Sequence, residues 1–571
     1  MAARPVPGAM PLVLSLLGLI LLSTRLAAHD RPHGPREKTR SAVIARHGMA
    51  ATSQPLATAA ALRVLQEGGN AIDAAIAANA LIGVVEPMSC GMGGDLFAIV
   101  WDAKTGKLHG LNASGRSPYA ATRDVFQAKG LKEIPTHGPL SWSVPGCVDG
   151  WETLRARFGT KPLAELLAPA IRYADEGFPV SEIIAADWRG AAPALRSIPT
   201  SAACFLPEGH APATGDVFRN ADLARSLRMV AQGGRDAYYR GPIAEAIVAY
   251  SKQVGGLFET RDFQAHTSTW VEPVSTNYRG YDVWELPPNG QGIATLQMLN
   301  LLEPYDLKSL GPNSAEALHL MIEAKKLAYE DRAKFYADPE FAKVPVKRLI
   351  SKEYAAARAS LVQRDRASDH PIPGEPGEAD TIYLTVVDND RNCVSLIQSN
   401  FHGFGSYHVP TGLGFALQNR GCLFALDPSH ANRLEPHKRP FHTIIPGFIT
   451  RAGKPWLSFG LMGGDMQAQG HAQMVCNLID FGMDVQEAGD APRFNHVGSS
   501  DPTGRRARTG GQVALESGIG TDVRKALEAK GHRLVSAPGG FGGYQAIRID
   551  LERGILMGGS DPRKDGCAMG Y

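Results

Sequence analysis

Residues 375–388 read EPGEADTIYLTVVD, and the change of character between Asp380 and Thr381 governs the reading of the whole chain. The stretch before it, RASDHPIPGEPGEAD (366–380), holds three prolines, two glycines and several charges, which cannot make a packed element. From Thr381 a β-pattern runs to Val387, turns at Asp388–Asn392 and returns through CVSLIQSN, so strand, turn and strand are expected. A threonine opening a strand is ordinary, because β-branched side chains fit a pleated surface. Directly behind an exposed linker it has a second reading. If the chain is cut before Thr381, a new α-amine with an ordinary pKa of about 8 stands beside the hydroxyl it can deprotonate. One residue then supplies nucleophile and base. It still needs oxyanion donors, a clamp for substrate and a rigid strand.

The sequence offers candidates for each need. Gly463 and Gly464, at a strand-to-helix turn in GLMGGD, lack Cβ atoms and can present backbone N–H groups to an oxyanion. A simple turn explains them equally well. Arg116, in NASGRSP, can grip a carboxylate through its planar fork, although a lone arginine is more often an ion-pair partner. His442 and Thr443, in HKRPFHTIIP, precede an apolar strand where both can hydrogen-bond a ligand; a surface turn is the plainer alternative. CGMGGDLF (90–97) lacks the GxGxxG spacing, and a tight backbone turn is favoured over a nucleotide site. No GxSxG elbow and no P-loop are present.

Around these residues the pattern alternates helices and strands. TAAALRVLQEGGNAIDAAIAANALIGVVEP reads as two helices broken at Gly68-Gly69-Asn70, and LFAIVWDAKTGKLHGLNAS as a hairpin about Lys104-Thr105-Gly106. SAEALHLMIEAKKLAYEDRAKFY is a long helix, KPWLSFGLMGGD a strand running into a turn, and the C-terminus a hairpin followed by a tail. Sheets packed with helices in layers are expected, over one large or two closely associated domains.

The 571 residues carry 59 Lys+Arg against 57 Asp+Glu, a formal charge of +2 that gives no electrostatic case for nucleic acid. Arg4, the apolar run GAMPLVLSLLGLILL and the small residues Ala27 and Ala28 form a signal-peptide pattern with cleavage expected after Ala28. The run is short for a membrane span of about 20 residues. The mature protein is therefore expected to be periplasmic or secreted. Seven scattered cysteines without a CxxC leave at least one free thiol, and most read as small buried hydrophobes. The 17 histidines show no HExxH and no paired Cys/His spacing, so no zinc site is expected.

Taken in order, GGNAIDAA, EPMSCGMGGDLF, VPGCVDGW, EAKKLAYEDR…DPEF, DTIYLTVVD, KRPFHTIIP, GLMGGD, DAPRF and the closing GGSDPR…GY resemble the γ-glutamyltransferase family from about residue 41 to 571. The resemblance implies an N-terminal nucleophile hydrolase fold: an α+β, four-layer αββα sandwich made as one precursor. It implies self-cleavage between Asp380 and Thr381 after a signal peptide of residues 1–28. The large subunit is then 29–380 and the small subunit 381–571, held as a heterodimer that can itself pair further. It also implies no cofactor and a small-molecule amide or γ-glutamyl substrate. By the same resemblance, Gly463 and Gly464 are the oxyanion-hole glycines, and Ser399 supports the nucleophile from the neighbouring strand.

The departures concern the substrate. Glutathione-cleaving members follow the nucleophile with Thr-His, where this chain has Ile382-Tyr383. Their paired serines, which hold the glutamyl α-carboxylate, align with His442 and Thr443. Their acid for the α-ammonium falls near Leu423, and Arg420 stands close by instead; a cation there repels an ammonium and attracts a carboxylate. The carboxylate-binding arginine falls two positions on, at Arg116. These changes resemble the branch with cephalosporin-acylase-like and oxamate-amidohydrolase-like members. The leading expectation is hydrolysis of an amide with an acidic acyl group, and the second is true glutathione hydrolysis or γ-glutamyl transfer. A periplasmic solute-binding protein is the competing reading from another class, and nothing in it needs Asp380-Thr381 or the Gly-Gly turn.

Overall fold

Two seven-stranded sheets lie face to face between layers of helices in the computed structural model, which describes residues 38–369 and 380–571. The expected signal peptide and most of the linker before Thr381 lie outside the described residues. One sheet runs, in spatial order, Cys567–Gly570, Met49–Thr52, Asp380–Val387, Cys393–Phe401, Asp95–Asp102, Lys107–Ala113 and Thr269–Val271. The other runs Val43–Ala45, Ile555–Ser560, Gly543–Asp550, Lys454–Met462, Gly447–Arg451, Tyr281–Glu285 and Val274–Tyr278. Every pairing in both is antiparallel. Four strands concern the site: β1 (Asp95–Asp102), β2 (Asp380–Val387), β3 (Cys393–Phe401) and β4 (Lys454–Met462).

The two-residue period of a strand sorts these side chains into layers. Phe97, Ile99 and Trp101 of β1, Tyr383 of β2 and Ile397 of β3 meet Phe448, Ile547 and Leu556 between the sheets. Trp101 stacks on Phe448 with ring centroids 6.1 Å apart. The alternate residues Leu96, Ala98, Ile382, Leu384 and Leu396 turn outward onto helix α1 (Ala71–Val85), every residue of which is buried. On the far side, Leu457, Phe459 and Leu461 of β4 pack with helices α2 (Gly292–Leu302), α3 (Ala315–Phe335) and α4 (Met466–Ile479). Both faces of each sheet are therefore buried, and the order helix, sheet, sheet, helix is the expected αββα sandwich.

The local readings of the sequence hold at this level. The helices meeting at Gly68-Gly69-Asn70 are Pro55–Gln66 and α1, and Asn70 with Asp73 closes a capping box on the second. The hairpins about 104–106 and 388–392 form as read. One element departs from expectation: the C-terminal tail is a strand, Cys567–Gly570, paired with Met49–Thr52 at the sheet edge. Its four residues show no alternation of their own; the open edge of Met49–Thr52 recruits them, a tertiary effect that local pattern does not encode. All seven cysteines are free thiols, and Cys90, Cys147, Cys393 and Cys476 are buried.

Candidate active site

Thr381 sits where the β2–β3 ladder slips. Asp380 faces Phe401 and Ile382 faces Gln398, so Ser399 and Asn400 together oppose the single residue Thr381. Such a bulge re-aims side chains and is frequent beside active sites. Here it brings the Thr381 hydroxyl within 3.2 Å of Ser399 Oγ, to which it donates. Both residues are buried. Phe401, at the end of β3, has φ of +81°, a conformation that costs a bulky residue energy and persists only where surroundings impose it. Its N–H donates to Ser399 Oγ at 2.8 Å.

Arg420 completes the cluster. One of its terminal nitrogens donates to Ser399 Oγ at 3.0 Å and the other to Thr443 Oγ1 at 2.6 Å. The guanidinium lies over the Phe401 ring, 4.4 Å from its centroid. Arg420 is fully buried, and among the described residues it donates to two hydroxyls and to no carboxylate. Burial pulls its pKa down to about 9, opposed by the charge of Asp95. It therefore remains a cation at neutral pH, one hydroxyl away from Thr381.

Asp95, the first residue of β1, balances this charge from below. Its Oδ1 accepts N–H groups from Gly115 (2.9 Å), Gly146 (3.1 Å) and the Gln418 amide (2.9 Å). Its Oδ2 lies 3.1 Å from His442 Nε2. The Ile444 N–H donates to His442 Nδ1 at 3.3 Å, so the ring proton sits on Nε2 and points at Asp95. Burial holds His442 well below its ordinary range, as a neutral imidazole. Burial also pushes Asp95 up to about 7, against Arg420 and the converging donors. A cradle of four N–H donors fits the carboxylate and leaves a carboxylic acid without an acceptor for its proton. Replacing Asp95 with asparagine is expected to cost about 3–5 kcal/mol of stability, because Arg420 and the donors lose their counter-charge. A shift in the urea midpoint equivalent to less than about 1 kcal/mol would show that the charge is not needed.

The glycines of the turn follow β4. Gly463 has φ of +121° and Gly464 of +55°, and the latter is the left-handed region that favours glycine. The first turn of α4 holds their carbonyls, with Met466 N–H on Gly463 O at 2.9 Å and Gln467 N–H on Gly464 O at 3.2 Å. Their own N–H groups donate to no other described residue.

Not every candidate joins this cluster. His442 reaches it only through Asp95. The Arg116 guanidinium donates to Thr267 O at 3.2 Å and pairs with Glu340 at 3.3 Å, sharing both partners with Arg439. Leu423 is buried in the apolar core beside Phe401 and Phe441, so no carboxylate stands at that position. The glycines of CGMGGDLF serve close approach: a Cβ on Gly94 would lie 2.5 Å from Ser399 O. One group of the described residues has metal-ligating atoms together, His319, Glu323 and His532. There the two imidazoles bond each other at 2.8 Å and Glu323 pairs with Lys326 at 2.7 Å, so hydrogen bonds already satisfy the set.

Sequence reasoning missed Asp95, taken as part of a turn, although an acid opening an otherwise apolar strand marks a buried charge in need of partners. It also missed Gln291, Arg332 and Asp465, which stand behind the glycine turn.

Residues 57–571 match the γ-glutamyltranspeptidase family. The chain belongs to that family. It is 38% identical to a glutathione hydrolase-like proenzyme, YwrD, of Bacillus subtilis (strain 168), over 92% of this chain and 99% of that one. It is 35% identical to the oxamate amidohydrolase proenzyme of Klebsiella pneumoniae subsp. pneumoniae, over 93% of this chain and 100% of that one. The crystal structure of cephalosporin acylase from Bacillus halodurans superposes with a TM-score of 0.87 at 42% identity, covering 96% of this chain and 99% of the other. As a γ-glutamyltranspeptidase-family protein with the αββα sandwich of N-terminal nucleophile hydrolases, the chain is an enzyme, a hydrolase, and not a solute-binding protein. Among the described residues no helix is long and apolar enough to cross a membrane.

Proposed function

We propose that this γ-glutamyltranspeptidase-family protein is an exported, self-processing amide hydrolase whose Thr381 forms an acyl-enzyme with substrates bearing an acidic acyl group. The observation that carries the proposal is Arg420, a buried cation tied to Ser399 and Thr443 and separated from the Thr381 hydroxyl by Ser399 alone. A buried charge without a directly bonded counter-ion favours a ligand that brings one.

In the precursor, Thr381 Oγ1 attacks the Asp380 carbonyl; the peptide C–N bond breaks as the ester forms, and the Thr381 nitrogen takes the proton. Water then hydrolyses the ester, leaving fragments 29–380 and 381–571. In the mature site the Thr381 α-amine takes the hydroxyl proton, and Oγ1 attacks the substrate amide. The N–H groups of Gly463 and Gly464 receive the oxyanion. The leaving amine departs with a proton, and water releases the acid. Ser399 holds Thr381, while Thr443 holds Arg420. Asp95, with His442 aimed at it, stabilises Arg420. Arg116, with Arg439, orders the neighbouring loop that also carries Gly115.

Glutaryl, γ-glutamyl, oxamate and uncharged butyryl amides of one leaving group distinguish the specificities. At least one acidic amide is expected to exceed the butyryl amide by roughly 100-fold in kcat/KM, with glutaryl no worse than γ-glutamyl. Equal rates for acidic and neutral acyl groups, or an absolute need for the α-amine, would contradict the proposal. Glutathione hydrolysis, the second reading, predicts that need.

A further inference from the structure

Two adjacent glycines make a poor oxyanion hole on their own, because their dihedral freedom lets the donors turn away. Whatever fixes them contributes to the rate, since only preorganised donors stabilise a developing charge without reorganisation. The helix α4 fixes the two carbonyls from one side. From the other side stands Gln291, the fully buried residue preceding α2.

The Gln291 side-chain amide donates to Gly464 O at 2.9 Å and to Thr443 O at 2.6 Å. One group thus joins the glycine turn to the loop that carries Arg420's hydroxyl partner. Its orientation is settled by a third contact: Arg332 donates to Gln291 Oε1 at 2.6 Å, so the NH2 end must face the carbonyls. Arg332 in turn forks onto Asp465, the residue after the glycines, at 2.6 and 3.3 Å. Tyr329, one turn before Arg332 on α3, donates to the Asp465 carbonyl and lies beneath the Arg332 guanidinium at 3.9 Å. The Arg332 charge holds the Asp465 carboxyl below its ordinary pKa despite burial, so the fork stays ionised.

We propose that Gln291, oriented by Arg332, is a positioning residue that sets the Gly463-Gly464 oxyanion donors and fixes their distance from the acyl pocket. The inference rests on the proposed acyl-enzyme chemistry at Thr381. It adds that the segment before residue 380 builds the oxyanion hole of the segment after it, since Gln291, Tyr329 and Arg332 lie on one side of that boundary and Thr443, Gly464 and Asp465 on the other.

The test is Gln291→Met, which keeps length and removes both donors, measured on the full protein with a glutaryl amide. The expected result is a fall in kcat of about 10–100-fold with KM changed by less than about threefold. Affinity for the boronic acid analogue of glutarate, which forms a tetrahedral adduct on the nucleophile, is expected to fall in parallel, and affinity for glutarate itself to stay within about threefold. A merely structural role would not separate the two ligands. If Gln291→Met does not accumulate as folded protein, Arg332→Lys decides by the same split, because one ammonium keeps the Asp465 pair without the planar group that also holds Gln291 Oε1. Unchanged kcat, or equal losses for boronate and glutarate, would overturn the inference. Failure of the wild type to hydrolyse any amide would instead strike the proposed function.

Discussion

A Thr381→Ala chain is expected to stay whole and to lose amide hydrolysis by at least about 10⁴-fold, the scale on which nucleophile removal acts in covalent hydrolases. Alanine lacks the oxygen that attacks the Asp380 carbonyl, so neither cleavage nor acyl transfer has a nucleophile. Ser399 cannot take over: its Oγ is held by Arg420 and the Phe401 N–H, and it carries no α-amine. Thr381→Ser keeps the hydroxyl and its contact with Ser399 while losing the methyl that fixes its rotamer. It is expected to cleave and hydrolyse, more slowly than wild type. Gel mobility and initial rates on the same preparations check both variants. A cleaved and active Thr381→Ala protein would remove Thr381 from the chemistry.

Arg420→Met is expected to reduce kcat/KM for a glutaryl amide by about 2–5 kcal/mol while changing a butyryl amide far less. The asymmetry is the informative quantity. Methionine fills the volume over Phe401, so the neutral substrate finds a similar pocket, whereas the acidic one loses the cation that pairs with its carboxylate. Lysine is not expected to rescue the variant, because one ammonium does not reproduce a fork that holds Ser399 and Thr443 at once. Equal losses on both substrates would show that Arg420 only supports the fold.

The strand that carries Thr381, Asp380–Val387, was legible because a linker composition and a β-branched run adjoin, and local chemistry alone reports both. The sandwich was legible through ordered motifs, and the αββα layering confirms what they implied. Ser399 and Thr443 were singled out through the family resemblance, and the structure ties both to Arg420. Asp95, Gln291 and Arg332 were not found, because each acts on a partner remote in the chain: 347 residues separate Asp95 from His442, 173 separate Gln291 from Gly464 and 133 separate Arg332 from Asp465. Arg116 shows the converse limit. Its residue type fits a carboxylate clamp, yet its fork is shared between Glu340 and a backbone carbonyl, a commitment visible only once the chain is folded. The edge strand at 567–570 was missed for the same reason.

If Thr381 carries the acyl group, rapid acid quenching during turnover of a glutaryl amide, followed by peptide mass mapping, captures it there. The expected result is a glutaryl adduct on a peptide whose N-terminal residue is Thr381, absent before substrate is added. Turnover with that peptide unmodified, or with the adduct on another residue, would contradict it.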